Sequence, residues 1–274
     1  MRRNARYFFD KSDLSLFCRT SHRDWWKDQL FSSVDGGGLR HYDEAVLRRN
    51  AWITDSNRIK CTGREYICAM QVKYNTLASR ERSTRGRKDL NQPKLRMCPS
   101  CPDKLGTLAH LLQVCGRTQL LRIGRHNEVV QVLNSRLKSI GYRTYLEPRL
   151  DFGSTWLQPD IIAHKPNSPK LYIIDPTIVS DGFPLAVSYE KKINKYTQNF
   201  LVNHIVHKLK LNTRSDYELC VIPVVLSWRG CWADKSIKGL EAIGVGSCTL
   251  ELVSFKVLVA GRGIYTADRL RTDV

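Results

Sequence analysis

Four side chains of the kind that bind metal ions lie close together in the middle of the chain: Cys98, Cys101, His110 and Cys115. The spacing Cys98-x2-Cys101-x8-His110-x4-Cys115 supplies the four nitrogen and sulfur ligands of a closed tetrahedral zinc site. We expect the first pair to form a tight turn and a helix over 107–115 to carry the other two ligands. The alternative is a chance grouping of buried thiols. With four protein ligands the site would be structural, since no coordination position stays open.

The chain is strongly basic, with 44 Lys and Arg residues against 26 Asp and Glu residues and a net charge of +18 over 274 residues. This balance suits a polyanion such as DNA or RNA; the alternative is a basic protein without a specific partner. The basic residues cluster between Ser79 and Arg96, a stretch with few apolar residues, which predicts a solvated cationic connector. The candidate nucleic-acid contacts there are Arg80, Arg82, Arg85, Arg87 and Lys88.

The sequence shows neither a secretory signal nor an apolar run near the ~20 residues that span a bilayer. We therefore expect a soluble intracellular protein without a membrane partner. In that setting the nine cysteines are expected to be reduced thiols or metal ligands, and not a disulfide framework.

The apolar pattern divides the chain into four segments. We expect a basic helical linker region at 1–93, the zinc segment at 94–120, a core at 121–235 and a C-terminal extension at 236–274. The core pattern predicts a helix at 125–140, a strand at 142–146, β-rich runs at 156–163 and 170–179, a long helix at 185–211 and a strand at 219–228. This α-β-β-β-α-β order predicts a mixed sheet flanked by helices, an α/β fold.

Two aspartates stand in the β-rich part of the core. Asp160 follows Pro159, and Asp175 follows the apolar run 171–174. If the two runs form adjacent strands, both carboxylates converge at one end of the sheet and can hold Mg²⁺ or Mn²⁺ for phosphodiester hydrolysis. An isolated Pro-Asp is usually a turn, but an aspartate in an apolar strand is unfavourable unless it is paired or metal-bound.

The predicted long helix places Tyr189, Lys192 and Tyr196 on one face, with Lys195 one step round. A lysine that faces the metal would orient the attacking water or neutralise the phosphate. The alternative for both lysines is a solvated helix face.

A polar run, Arg125-His126-Asn127-Glu128, opens the first core helix. Glu128 is a candidate further ligand of the catalytic metal, and Arg125 and His126 are candidate phosphate contacts. A capped helix start with ordinary surface charges explains this run equally well.

Taken together, these motifs resemble the C-terminal part of the polyproteins of site-specific non-LTR retrotransposons, which insert in ribosomal DNA and similar targets and carry a restriction-enzyme-like endonuclease. The resemblance covers roughly residues 25–235. The matching pieces, in the family's order, are Leu30-x-x-Ser33-x-Asp35-Gly36-x-Gly38-Leu39, Gly63-x-x-Tyr66, Arg80-x-Arg82-x-x-Arg85-Gly86-Arg87, the Cys-Cys-His-Cys knuckle, Arg125-His126-Asn127, Glu147-Pro148, Pro159-Asp160, Asp175, Lys192-x-x-Lys195-Tyr196 and Trp228-Arg229-Gly230.

The resemblance implies a PD-(D/E)xK restriction-endonuclease-like core in which Asp160 and Asp175 bind the catalytic metal. The chain departs from the common restriction-enzyme pattern at Thr177, where a lysine is usual, so the lysine role passes to Lys192 or Lys195. It also has Gln158 where most family members have a basic residue.

In function, the resemblance implies nicking of target DNA to leave a 3′ hydroxyl that primes reverse transcription. The implied partners are target DNA and the element's RNA, the implied cofactors are structural Zn²⁺ and catalytic Mg²⁺ or Mn²⁺, and the implied location is nuclear. Tyr196 joins the expected nucleic-acid contacts. No Tyr/Phe-x-Asp-Asp polymerase motif is present, so we expect a truncated copy, a fragmentary gene or a domesticated part. The alternatives are an inactive nucleic-acid-binding relic and a junction-resolving nuclease.

Overall fold

The computed structural model of the chain describes residues 14–39, 51–53, 55, 58–87, 93–166, 168–196, 201–211 and 216–270. They separate into two units, one before residue 42 and one after it. The smaller unit contains helix α1 (Leu14–Ser32) and the short 3-10 turn Gly37–Leu39. Within the described ranges no helix combines the length and apolar character that a bilayer crossing requires.

The larger unit has a mixed α/β architecture. Its helices are α2 (Gly63–Lys73), α3 (Arg80–Thr84), α4 (Pro93–Arg96), α5 (Leu108–Gln113), α6 (Gln119–Ser139), α7 (Leu185–Lys195), α8 (Leu201–Lys208), α9 (Asp234–Ala242) and α10 (Ser247–Leu270). Its strands are β1 (Met97–Cys98), β2 (Cys101–Leu105), β3 (Arg143–Leu146), β4 (Leu150–Phe152), β5 (Thr155–Leu157), β6 (Ile161–His164), β7 (Lys170–Val179) and β8 (Glu218–Ser227).

Four of these strands form the central sheet, in the order β3-β6-β7-β8. Strand β6 is antiparallel to both β3 and β7, whereas β8 is parallel to β7. The parallel pair is joined through α7 and α8, as a parallel connection requires a crossover. The predicted mixed sheet flanked by helices is confirmed.

Three elements differ from the sequence prediction. Helix α6 begins at Gln119 and not at 125, so the run Arg125–Glu128 lies inside the helix and does not open it. The run 156–163 is not one strand, because β5 ends at Leu157 and β6 begins at Ile161. Pro159 lies in the break and cannot donate a ladder hydrogen bond; β5 instead pairs with β4 in a separate hairpin. The expected long helix is two helices, α7 and α8, and residues 197–200 between them lie outside the described part.

Side chains on the two faces of the sheet enter different cores, since alternate residues of a strand point to opposite faces. On one face, Val129 and Leu133 of α6 pack in the same cluster as Ile174. On the other face, Ile173 packs in a cluster that contains Tyr196 and residues of α8. Asp175 has the parity of Ile173, so it lies on the face covered by α7 and α8.

A further core joins the N-terminal and C-terminal parts of the larger unit. Val72 of α2, Leu112 of α5 and Leu258 of α10 are fully buried in one cluster with Trp52 and Trp228. The residues after 235, expected as an extension, therefore supply buried core side chains.

Candidate active site and metal centre

The strand register brings Asp160 and Asp175 together. In the antiparallel pair of β6 and β7, Ile161 lies opposite Ile174. Continuing this register by one residue places Asp160 opposite Asp175, on the same face of the sheet. The backbone carbonyl of Asp160 accepts a 2.9 Å hydrogen bond from the amide of Glu147, which fixes this turn against the end of β3.

Three side chains of the segment after β7 converge on the carboxylate of Asp175. Lys192 Nζ donates to Oδ1 at 2.8 Å, and the hydroxyl of Tyr196 donates to Oδ2 at 2.6 Å. Lys195 Nζ lies 3.7 Å from Oδ2. The Lys192 side chain is 24% exposed and that of Lys195 is 39% exposed, so Lys192 is the more enclosed of the two lysines.

Asp160 has a different neighbour, His126 of α6, whose Nε2 lies 3.2 Å from Asp160 Oδ1. This hydrogen bond raises the pKa of His126 above its usual value, against the opposite effect of burial. Sequence reasoning expected His126 to contact phosphate; the structure places it against an acid of the site.

The two carboxyl groups form a coupled pair. Burial raises the pKa of Asp160, and its proximity to Asp175 acts in the same direction, while the bond with His126 opposes the rise. Burial also acts to raise the pKa of Asp175, but hydrogen bonding from Asp160 and the charge of Lys192 outweigh it, so this pKa lies below its usual value. The first proton taken up by the pair therefore belongs to Asp160.

The structure does not bring Glu128, a predicted metal ligand, to this pair of acids. Residues two apart on a helix point about 200° away from each other. Because His126 faces Asp160, Glu128 faces elsewhere, and its Oε1 forms a 2.8 Å ion pair with Lys256 of α10.

Tyr196, predicted to contact nucleic acid, lies inside the fold. Its side chain is buried, with 1% of the residue exposed, and its hydroxyl is bonded to Asp175. Burial and then the charge of Asp175 raise its pKa, so the phenol stays a proton donor to that carboxylate.

The four predicted zinc ligands form one cluster. The ligand atoms of Cys98, Cys101, His110 and Cys115 all lie within 4.8 Å of one another, and the group can bind a metal ion such as zinc. Cys98 pairs with Cys101 across the β1–β2 turn, as the sequence predicts. Helix α5 begins after Thr107, whose hydroxyl caps the amide of His110 at 3.1 Å.

Two features of the cluster fit a metal. His110 Nε2 is buried and has no hydrogen-bond partner in the described part of the chain. This ring nitrogen is therefore available to bind a metal ion. Burial lowers the pKa of His110, which favours the neutral imidazole that coordinates metal.

The basic segment, predicted to be a solvated connector, contains helix α3 and is only partly exposed in its described residues. Glu81 of α3 is buried and gathers two arginines, Arg85 at 2.6 Å and Arg96 at 3.6 Å. Arg82 donates to the carbonyl of Asn75 at 2.9 Å.

The remaining candidates of this segment differ in exposure. Arg80 is half-buried and Arg87 is exposed. Lys88 lies outside the described residues.

Arg125 is not on an open surface. It is 4% exposed, and its Nη2 donates to the carbonyl of Leu112 at 2.8 Å. Arg122 donates to the carbonyls of Gln113 and Cys115. These arginines join the zinc segment to α6, a role that sequence reasoning missed because it depends on how α5 packs.

Comparison with known proteins gives matches over most of the chain. The Retrovirus-related Pol polyprotein from type-2 retrotransposable element R2DM of Drosophila melanogaster is 30% identical over 254 residues, which is 91% of this chain. A Pol polyprotein from type-1 retrotransposable element R2 of Bradysia coprophila is 26% identical over 84% of the chain. The chain is homologous to one region of R2 retrotransposon Pol polyproteins. This confirms the resemblance found in the sequence.

The R2 relatives are much longer than this chain. It covers 23% of the Drosophila protein, 25% of the Bradysia protein and 24% of a third R2 Pol polyprotein, from Nasonia vitripennis, which is 25% identical over 255 residues. No protein-family model matches the chain. Because the Drosophila match spans 91% of the chain, it necessarily includes residues 98–196, which carry both the acid pair and the Cys-His cluster.

Proposed function

We propose that the chain is the DNA endonuclease region of an R2-type Pol polyprotein, and that it cuts with a divalent metal on a PD-(D/E)xK-like core. The observation that carries this proposal is the convergence of Asp160, Asp175 and Lys192, brought together by the β6–β7 register and by α7. A surface ion pair needs only one carboxyl group, whereas a divalent cation needs a second carboxyl group opposite the first.

Asp160 and Asp175 would hold Mg²⁺ or Mn²⁺. The donor set fits, because the half-buried Asp160 and the buried Asp175 offer oxygen ligands at a place where a second negative charge is otherwise unfavourable. A metal bound there supplies charge for the scissile phosphate and a lower pKa for an attacking water.

The surrounding side chains position the acids and the phosphate. Tyr196 and Lys192 fix both oxygens of Asp175, and His126 fixes Asp160. The partly exposed ammonium of Lys192 can neutralise charge that develops on the phosphate, an interaction that strengthens in the transition state. Lys195, more exposed, is placed to contact the DNA backbone.

The Cys-His cluster would hold a structural Zn²⁺ with Cys98, Cys101, His110 and Cys115. The unpartnered, buried Nε2 of His110 and the three thiols suit that ion. Through the arginines of α6, the cluster would fix the position of the helix that carries His126.

The cleaved substrate would be target DNA, nicked in the nucleus to leave a 3′ hydroxyl for reverse transcription of element RNA. The net charge of +18 supports a polyanionic partner, and the homology supports a retrotransposon context.

The test is nicking of supercoiled plasmid by the purified chain with Mg²⁺, with Mn²⁺ and with EDTA. We expect open-circle product with either metal and none with EDTA. Folded, DNA-binding protein that leaves the plasmid intact with both metals would instead establish an inactive relic.

A further inference from the structure

An open cavity of about 330 Å³ lies beside the acid pair. Its wall includes His126, which bonds Asp160, and Thr177, which lies two residues after Asp175 on the same face of β7. Strand β6 pairs with β7 only as far as Ile174, so Thr177 lies past the end of that pairing, where space is left open. The cavity therefore shares His126 with the candidate active site.

Three of the side chains that line the cavity carry hydrogen-bond donors without partners in the described part of the chain. Gln113, Arg122 and Arg125 line the cavity, and each carries at least one buried N–H group that no acceptor of the described part satisfies. The groups are Gln113 Nε2, Arg122 Nε and both Nε and Nη1 of Arg125. Unsatisfied buried donors are rare in folded proteins, and these four belong to three side chains that line one cavity, which favours a polar ligand there.

The charge of the wall indicates the kind of acceptor. Among the described residues that line the cavity there is no carboxylate, while two guanidinium groups are present. Burial, and then the neighbouring Arg122, lower the pKa of Arg125 to about 10, the direction expected for a cation buried without a counter-charge. An anion in the cavity would remove this unfavourable state.

We propose that this cavity is a phosphate pocket that binds a backbone phosphate of the DNA strand next to the phosphate held by the acid pair. The proposal rests on the proposed nuclease function. Guanidinium groups present paired N–H donors that match phosphate oxygens, and Gln113, at the end of the zinc segment's helix, adds an uncharged donor. The Cys-His module would thus help to bind the substrate strand itself.

The experiment uses the full chain in buffer without added Mg²⁺ or Mn²⁺ and without a chelator, so that binding is measured without cleavage and the Cys-His cluster keeps its metal. The variants are Gln113→Ala, Arg122→Gln and Arg125→Gln. The matched control is Arg136→Gln, because Arg136 is on the same helix and also has a buried, unpartnered Nε, but does not line the cavity. Circular dichroism and zinc content report whether each variant is folded.

Two measurements are made on each variant. In the first, inorganic phosphate is titrated and the shift in melting temperature is followed, since a ligand that binds only the folded state stabilises it. In the second, the affinity for a DNA duplex is measured by fluorescence anisotropy over a range of KCl concentrations. We expect Arg122→Gln and Arg125→Gln each to reduce by about one the slope of the logarithm of DNA affinity against the logarithm of KCl concentration. Each should also lose most of the shift in melting temperature that phosphate causes.

Gln113→Ala keeps the proposal testable if an arginine variant unfolds, because its Nε2 makes no bond within the described part. It should weaken phosphate and DNA binding severalfold without a change of slope, while Arg136→Gln behaves like wild type. Unchanged binding in Gln113→Ala and in every folded arginine variant would overturn the proposal. A phosphate shift without any change in DNA binding would also overturn it, since the pocket would then take only free phosphate. A nicking assay on wild type reports separately on the nuclease function.

Discussion

Lys192 donates a 2.8 Å hydrogen bond to Oδ1 of Asp175. The bond joins α7 to the middle of β7, and it places an ammonium group beside the carboxylate pair. Lys195 lies farther from the same carboxylate and is more exposed. The two lysines are therefore expected to act differently.

Lys192→Ala should lower the cleavage rate by about 10²-fold with little change in DNA affinity, because it removes a contact that strengthens in the transition state. Lys195→Ala should leave the cleavage rate of bound substrate nearly unchanged. It should reduce by about one the slope of the logarithm of DNA affinity against the logarithm of salt concentration. Single-turnover kinetics on pre-bound substrate, together with anisotropy titrations, separate the two effects. An unchanged rate for Lys192→Ala would move the catalytic role to Lys195.

The acid pair gives a second prediction. Asp160→Asn and Asp175→Asn should each abolish nicking, since each removes a ligand charge for the divalent metal. DNA binding should stay near the wild-type value because neither carboxylate contacts phosphate directly. The control is Asp151→Asn, an exposed aspartate paired with Arg149 outside the site, which should cut normally. Metal-dependent cleavage by either of the first two variants would disprove the site.

Competition between protons and metal gives a third prediction. The pKa of Asp160 is raised, chiefly by burial, so Asp160 takes up a proton first as the pH falls. The metal needs the ionised form of Asp160. As the pH drops below the raised pKa, the apparent affinity for Mn²⁺ should therefore fall, approaching about tenfold per pH unit, and above that pKa it should level off. Calorimetry in two buffers of different ionisation enthalpy counts the protons released.

His126 offers a check on this assignment. Its hydrogen bond opposes the rise in the pKa of Asp160, and its positive charge acts in the same direction. We expect His126→Gln, which keeps an amide donor, to move the pH at which Mn²⁺ affinity is lost to a higher value. An identical pH profile in wild type and His126→Gln would show that this contact does not tune the pair.

The Cys-His cluster gives a fourth prediction. Wild-type protein should contain one zinc ion per chain, and Cys98→Ser/Cys101→Ser should contain none and melt at a lower temperature, because ion binding contributes to folding free energy. Cys248→Ser is the control, since Cys248 is exposed and outside the cluster. Equal zinc content in the double variant and the control would leave the cluster as buried thiols.

Local sequence signals predicted that Asp160 and Asp175 lie together, but not most of the contacts around them. The convergence of Asp160 and Asp175 follows from two strands joined by a short turn, because the register of an antiparallel pair is a local property. The Lys192 contact follows from helix periodicity once Tyr196 is assigned to the buried face. The contact between His126 and Asp160 depends instead on how α6 packs against the sheet, and no periodicity specifies that.

The burial of Glu81 is a second contact that the sequence pattern did not predict. The composition of an arginine-rich stretch predicts that it is solvated. In the folded chain one buried carboxylate pairs with Arg85 and Arg96, so part of the positive charge is used inside the protein and not on DNA.

The last prediction concerns a buried charge network that does not include the acid pair. Asp181 accepts hydrogen bonds from Trp228 Nε1 at 2.9 Å and from Arg229 Nε. Arg229 in turn donates to the carbonyl of Lys73 at 3.0 Å, and Lys73 Nζ donates to the carbonyl of Arg229 at 3.3 Å. This network joins α2 of the linker region to the end of β8, which gives the Trp228-Arg229-Gly230 motif a structural role.

Asp181→Ala should lower the free energy of unfolding by about 3–5 kcal/mol, because it leaves the guanidinium of Arg229 buried without its counter-charge. Asp234→Asn is the matched control: its pair with Lys238 is exposed and should change stability by about 0.5 kcal/mol or less. Urea unfolding followed by tryptophan fluorescence measures both, since Trp228 reports directly on the network. Equal stability of the two variants would show that the packing of Trp228, and not the ion pair, holds α2 against the sheet.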